Sequence, residues 1–345
     1  MSNTNSKIDV VITWVDASDP KWRRDYKKYY KKAYGTDAKL QSFQDIGTLR
    51  YLFRGIEKFM PWVNRIHLVT YGHYPKWLNL SHSKLQLVSH KEIFEDPTVL
   101  PVFNSHAIEM NLSNIPHLQE KFIYFNDDML ILKKVKPSRF FEKDLPNDFM
   151  IFSPMIFNTN GSKFYYALYN DMALIHSLFK GMKHSKWLLS HITKIFNIKY
   201  SIKWNIRNML ALIIPFQLFK LYHFPQPYLK SSYSEARQIF KKNVQITSQH
   251  KFRSPYDINQ YFFRFYNLVA GKFNPYKPMD TYWAPIYKVK DLDTHIQSLL
   301  KGKGKYAFVC FNESVDIPLS EYSLYRNKLN RFLSSILPNK STFEK

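Results

Sequence analysis

The sequence predicts an α/β chain built on an open, Rossmann-like sheet with helices on both faces and an inserted helical segment that is both basic and hydrophobic. Three observations predict it. Apolar, β-branched runs alternate with helical patterns through the first 130 residues, the order that produces a parallel sheet. Two acidic turns follow directly on two of the strands, where open sheets place their ligands. Residues 183–222 then break the pattern with a lysine-laced aromatic and aliphatic stretch that contains no acid.

In chain order, residues 8–15 (Ile-Asp-Val-Val-Ile-Thr-Trp-Val) are rich in β-branched side chains and read as a buried strand. The cluster Asp16-Ala-Ser-Asp-Pro20 ends it with turn chemistry. The very basic residues 21–39 follow as a solvated helix and loop. From Asp45 onward, Ile46, Leu49, Leu52, Phe53, Ile56 and Phe59 recur at helical spacing, and this helix stops before Pro61. Residues 65–70, 85–88 and 121–125 are the next three strands, with a helix over 105–112 between the last two. Residues 183–222 read as one or two amphipathic helices. Helices over 231–241, 255–270 and 320–336 and strands over 282–289 and 306–311 complete the chain, which carries no internal repeat.

Composition bounds the function. The 345 residues hold 50 Lys and Arg against 27 Asp and Glu, a formal charge of +23, while 45% are hydrophobic and 17% aromatic. So apolar a chain can offset the entropy of ordering and is not disordered. Its single cysteine, Cys310, excludes an internal disulfide and a cysteine-rich zinc module, and a reducing cytoplasm is the expected setting. The start lacks the continuous apolar core of a secretory signal. The longest apolar run, residues 209–219, is short of the ~20 residues that span a bilayer. The positive excess is therefore left for nucleic acid, an anionic lipid surface or a phosphorylated substrate.

Asn126-Asp127-Asp128 is the strongest chemical signal. Adjacent carboxylates behind an apolar strand can bind a divalent cation that bridges to phosphate, or accept a proton from an attacking hydroxyl. A solvated, helix-capping loop is the plain alternative. Asp16, Ser18 and Asp19 lie where a nucleotide would sit, although a turn needs the same residues. Arg50 and Arg54, one helical turn apart, could clamp a diphosphate or simply form a solvated face. Among 12 histidines, His106 beside Glu109 and His223 in the rigid run His-Phe-Pro-Gln-Pro are the suggestive ones. Neither has a metal-ligand companion at short spacing, so zinc is not expected. Cys310, within an apolar strand, reads as buried and inert. With 9 glycines there is no glycine-rich phosphate loop.

Together these pieces resemble a known family, the Stealth sugar-phosphate transferases. Residues 8–20 resemble its first conserved region. Residues 45–132 resemble the second through Gly47-Thr-Leu-Arg-Tyr51, Ile56-Glu-Lys-Phe-Met-Pro-Trp62, Pro75-Lys-Trp-Leu-Asn79, Phe103-Asn-Ser-His-Ala-Ile-Glu109 and Phe122-Ile-Tyr-Phe-Asn-Asp-Asp128. Residues 223–275, with His223-Phe-Pro and His250-Lys-Phe-Arg-Ser-Pro-Tyr-Asp-Ile258, are similar to the third. Residues 306–318, with Cys310-Phe-Asn-Glu313 where Asn-Asp is usual, resemble the fourth. The whole of 1–345 then forms one catalytic domain of nucleotide-sugar-transferase type, with 183–222 as a helical insertion.

The resemblance implies transfer of a hexose-1-phosphate from a UDP-sugar to a sugar hydroxyl of an oligosaccharide or lipid-linked glycan. UMP would leave, and phosphodiester links in a capsular or cell-surface polysaccharide would result. The runner-up is a metal-dependent glycosyltransferase releasing UDP. By position, Asp127, Asp128, His223 and Arg253 become the catalytic residues, with Asp128 and Asp127 holding Mg or Mn. Asp16, Asp45, Arg50, Asn104, Ser105, Asn126 and Asn312 would line the substrate pocket. The ordered motifs weigh against nucleic acid as the partner. The expected location is the cytoplasm, peripheral on the inner face of the plasma membrane if residues 183–222 meet anionic lipid. The alternative for that segment is a buried helical lobe.

Overall fold

In the computed structural model of the chain, residues 7–36, 40, 43–154, 158–180, 183–213, 218–313, 317 and 319–345 are described. Parts of the basic stretch 21–39, the apolar run 209–219 and the region 306–318 fall outside them. Four strands, β1 (Ile8–Thr13), β2 (Ile66–Thr70), β3 (Leu85–Ser89) and β4 (Lys121–Asn126), form the parallel part of a five-stranded sheet. Their order is β4-β1-β2-β3, and Gln226–Leu229 joins antiparallel to β4 at the edge. The expected Rossmann-like arrangement is therefore present, with the first strand at its centre.

The strands are buried on both faces, as parallel sheets are. Along β1, Val10 and Ile12 enter one core, with Leu52, Phe53 and the C-terminal Leu329 and Leu333. Val11 enters a second core with Tyr233, Phe262 and Phe265. Helix α2 (Thr48–Phe59) and the helix Leu319–Ile336 cover the first face. The helices Lys230–Ile239 and Gln260–Val269 cover the second. α1 (Pro20–Tyr34) packs by Trp22 and Tyr26 into a small aromatic cluster with Phe103, leaving its lysines in solvent as expected.

A second sheet was only half visible in the sequence. Thr281–Ile286 and Phe308–Glu313 pair in parallel, and the latter pairs antiparallel with β5 (Met129–Ile131). β5 begins three residues after β4 ends, so the turn at Asp127 and Asp128 links the two sheets. Periodicity also missed the helices Lys163–Ser177 and Val289–Lys301. The basic-hydrophobic insertion forms two helices, His184–Ile195 and Ile202–Ile213. Among the described residues, no helix is long and apolar enough to cross a membrane.

Arg264, wholly buried on the helix Gln260–Val269, forks onto Asp148 with two bonds of 2.8 Å and donates to the carbonyl of Lys220 at 2.9 Å. Removing one member of a buried pair strands the other's charge in the interior. Arg264→Met is therefore expected to cost about 3–5 kcal/mol of unfolding free energy, read as a lower denaturation midpoint in urea.

Candidate active site

β1 and β4 run in register, Thr13 opposite Asn126, so both open at the same sheet edge. A cleft of about 440 Å³ lies over that edge. Trp14 and Val15 border it after β1, and Asn126, Asp127 and Asp128 after β4. Ser105, Glu109, His223, Arg253 and Asn312 close around it.

Asp128 is the meeting point. Its carbonyl accepts from the Phe311 amide at 3.2 Å, which ties the β4–β5 turn to the strand Phe308–Glu313. From that strand the Cys310 thiol donates to Asp128 Oδ2 at 3.2 Å. His223 Nε2 stands 3.6 Å from the same oxygen, an ion-pair distance. His223 is held in place because Tyr222 before it accepts from Arg139 at 2.8 Å and the edge strand Gln226–Leu229 begins three residues on. Asp128 Oδ1, by contrast, is buried with no hydrogen-bond partner.

The electrostatics follow from this geometry. Burial works to raise the Asp128 carboxyl, but the His223 imidazole, with Cys310 and Asn312, holds it below its ordinary value. Burial works to lower His223, but Asp128 and, at longer range, Glu109 raise it above the usual imidazole value. The Cys310 thiol is pushed well above its ordinary value by burial and by Asp128. It therefore stays protonated and serves as a donor, beyond the inert role read from sequence.

The opposite wall is a polar network. Asp257 accepts from Asn104 Nδ2 at 2.9 Å, His106 Nδ1 at 3.2 Å, His250 Nδ1 at 2.6 Å and the Ser254 amide at 2.9 Å. Burial opposes its charge, yet these donors hold the carboxyl down to about 2. The network pins the short helix Ser105–Glu109 against the 250–257 loop, and across that joint Arg253 Nη2 donates to Ser105 Oγ at 2.9 Å. Glu109, raised by burial, accepts the Gln260 amide at 3.0 Å.

Of the residues singled out from sequence, Asp127, Asp128, His223, Arg253, Ser105, Asn126 and Asn312 meet on this one cleft. Asn104 is buried behind it, orienting Asp257. Asp16 and Asp45 do not line it. Asp16 accepts from the amide and hydroxyl of Ser18, while Asp45, raised by burial, accepts the Gly47 amide at 2.9 Å. Both build the loops at its rim. Arg50 is a correction: it stacks over Trp77 and stands 3.5 Å from Glu344. Its neighbour Arg54 forks onto the same carboxylate at 2.7 and 2.9 Å. Arg54 is thus spent on Glu344, and Arg50 does not line the cleft. Sequence reasoning left out Glu109, although it stood in the quoted motif beside His106. Asp257 was likewise left out, although it stood in the quoted motif four residues after Arg253.

Comparison with known proteins gives the family. The chain matches Stealth protein CR1, conserved region 1, over residues 6–33, CR2, conserved region 2, over 42–148, and CR3, conserved region 3, over 222–270. It is 35% identical to the capsular polysaccharide phosphotransferase WcwK of Streptococcus pneumoniae, covering 98% of both chains. To the exopolysaccharide phosphotransferase cps2G of Lactiplantibacillus plantarum it is 33% identical, over 98% of this chain and 96% of that one. The receptor polysaccharide phosphotransferase WefC of Streptococcus gordonii is also 33% identical, over 98% and 99%. A solved galactosyltransferase, LgtC, aligns over 97% of this chain and 98% of its own at 10% identity and a TM-score of 0.42, too low to carry an argument. Full-length kinship with these phosphotransferases defines a transferase. The chain belongs to the Stealth family.

The Asp128–His223 pair sets a pH dependence. Asp128 is lowered from 3.8 and His223 raised from 6.5. Their stabilisation is complete between those values, is lost as pH falls through the lowered carboxyl value, and is lost as pH rises through the raised imidazole value. In protein stripped of divalent ions, Asp128→Asn removes the partner and leaves burial acting on His223. Its midpoint, followed by NMR of the imidazole, is expected to drop from above 6.5 to near or below it. An unchanged midpoint would contradict the pairing.

Proposed function

We propose that the chain transfers a hexose-1-phosphate from a UDP-sugar to a hydroxyl of an oligosaccharide or lipid-linked glycan, building phosphodiester links of a cell-surface polysaccharide in the cytoplasm. Full-length kinship with polysaccharide phosphotransferases supports the class of reaction. The observation that carries the site assignment is Arg253. It faces the cleft bonded to the neutral Ser105, and among the described residues no carboxylate lies within ion-pair distance of it. Arg139, Arg237 and Arg264 are each spent on an acid. A guanidinium bonded to a neutral hydroxyl, on the same cleft as His223, suits a phosphate group.

In the reaction the acceptor oxygen attacks the β-phosphorus. The new O–P bond forms as the bond to the bridging oxygen breaks, and UMP departs with the electron pair. Neutral His223 accepts the hydroxyl proton, and Asp128 beside it stabilises the imidazolium that results. Arg253 balances charge on the equatorial phosphoryl oxygens. The residues also fit a divalent cation, since Asp128 Oδ1 is a buried carboxylate oxygen without a partner and Asp127 adjoins it. Asp128 and Asp127 would hold Mg or Mn, which supplies positive charge to the diphosphate when bound.

Incubation with a panel of UDP-hexoses and a glycan acceptor is expected to yield UMP; release of UDP would mean glycosyl transfer and overturn the reading. Asp128→Asn is expected to lower kcat/KM by about a thousandfold. Arg253→Ala is expected to cost about 10²–10³-fold. Near-native turnover by Asp128→Asn would remove the central assignment.

A further inference from the structure

The insertion at 184–213 has two unlike faces. Its inner face is firmly docked. Trp187 donates to the Val269 carbonyl at 3.0 Å, and Ile195 and Tyr200 are buried. The amide of Asn208, also buried, bonds the carbonyls of Met150 and Ile195 and accepts from the Phe152 amide. The outer face is open. Ile198 is 99% exposed, Ile202 80% and Leu189 73%, and Ile206, Met209 and Leu210 continue the stripe of Ile202 at helical spacing. Of twenty large apolar side chains exposed among the described residues, eight fall within residues 189–212. So dense a patch marks an interaction surface and exceeds the scatter normal for a soluble surface.

The charge around it selects the occupant. Residues 183–234 contain no Asp or Glu, and Lys183, Lys186 and Lys203 stand exposed beside the apolar stripe. A second copy docked by two-fold symmetry would set these cations against themselves, within a chain already at +23. An apolar stripe flanked by lysines, on helices too short to span, is the pattern of a segment lying in the lipid interface. We propose that the outer face of residues 184–213 docks on the surface of an anionic phospholipid bilayer, with its isoleucines in the headgroup boundary and its lysines on lipid phosphates. The inference is independent of the reaction assigned above. Docking would orient the cleft, because the chain leaves this segment through Leu218–Phe219 and reaches His223 four residues later.

The test is co-sedimentation of the full chain with vesicles of phosphatidylcholine alone or with added phosphatidylglycerol. Binding is expected only to the anionic vesicles. Ile202→Ser/Ile206→Ser/Met209→Ser, all at exposed positions, is expected to reduce the partition coefficient about tenfold or more, with the circular dichroism spectrum and turnover of a soluble acceptor unchanged. Lys186→Gln/Lys203→Gln is expected to weaken binding at low salt and to matter less at high salt. If the triple variant loses helix, Ile198→Ser, at a loop position, carries the comparison. Failure of the wild type to bind anionic vesicles, or equal binding by the apolar variants, overturns the proposal. So does a dimer seen by sedimentation equilibrium that the apolar substitutions dissolve, which assigns the face to a second copy.

Discussion

One residue, Asp128, ties the main sheet of this molecule to the three-stranded sheet that contains β5. Asp128 occupies the turn between β4 of the main sheet and β5 of the smaller one, and its backbone carbonyl is bonded to the strand Phe308–Glu313. Its side chain gathers His223 from the approach to the main sheet's edge strand and Cys310 from the second sheet. Segments nearly 200 positions apart in the chain therefore meet at one oxygen. An isolated carboxylate so placed would take up a proton rather than remain charged in the interior. The neighbouring His223 imidazole and a protonated thiol reverse that preference. The ionised Asp128 is thus a product of the completed fold.

The far wall of the cleft solves a different problem with the same means. Asp257 is buried and ionised because four donors surround it, and those donors come from two segments that must be joined, the helix Ser105–Glu109 and the loop before Gln260. Glu109, one helical turn from His106, has fewer donors and moves the opposite way, toward the protonated form. Two neighbouring acids are thereby shifted in opposite directions. Ser105 and Arg253 face the cleft from the two sides of this joint, bonded to one another.

The parts of this arrangement that were legible in the sequence are the local ones. β1, β2, β3 and β4 announce themselves as short runs rich in apolar side chains, and the acidic turn after β4 stands where an open sheet binds ligands. β5, at three residues, carries too little pattern to be read, and with it the second sheet's role in the site was hidden. Arg50 and Arg54 show the limit from the other side. Their spacing on α2 left a diphosphate clamp and a solvated face open, but the acid beside them is Glu344, almost 300 positions away, and no local pattern reports it. Likewise the absence of short-range ligand spacing around His223 said nothing about Cys310 and Asp128, whose ligand atoms lie with its own within 4.8 Å. The insertion at 183–222 had two competing readings, a buried lobe and an interfacial segment. The observed helices bury one face and expose the other, so the burial half of the question is answered for each face separately.

The charge balance takes its meaning from this distribution. An excess of +23 would suggest that cations are available everywhere, yet the buried arginines are individually matched: Arg54 to Glu344, Arg139 to Asp280, Arg237 to Glu95 and Arg264 to Asp148. Matching is required of them, since an unpaired charge in the interior costs several kcal/mol, on the order of the whole stability of a domain. Arg253 escapes that requirement because it opens on the solvent of the cleft, where hydration substitutes for a carboxylate. The exposed lysines of α1 and of the insertion escape it by lying on the surface. Burial, then, sorts the cations: those inside are structural and neutralised, and only those at a cleft or an outer face retain charge that a ligand can use.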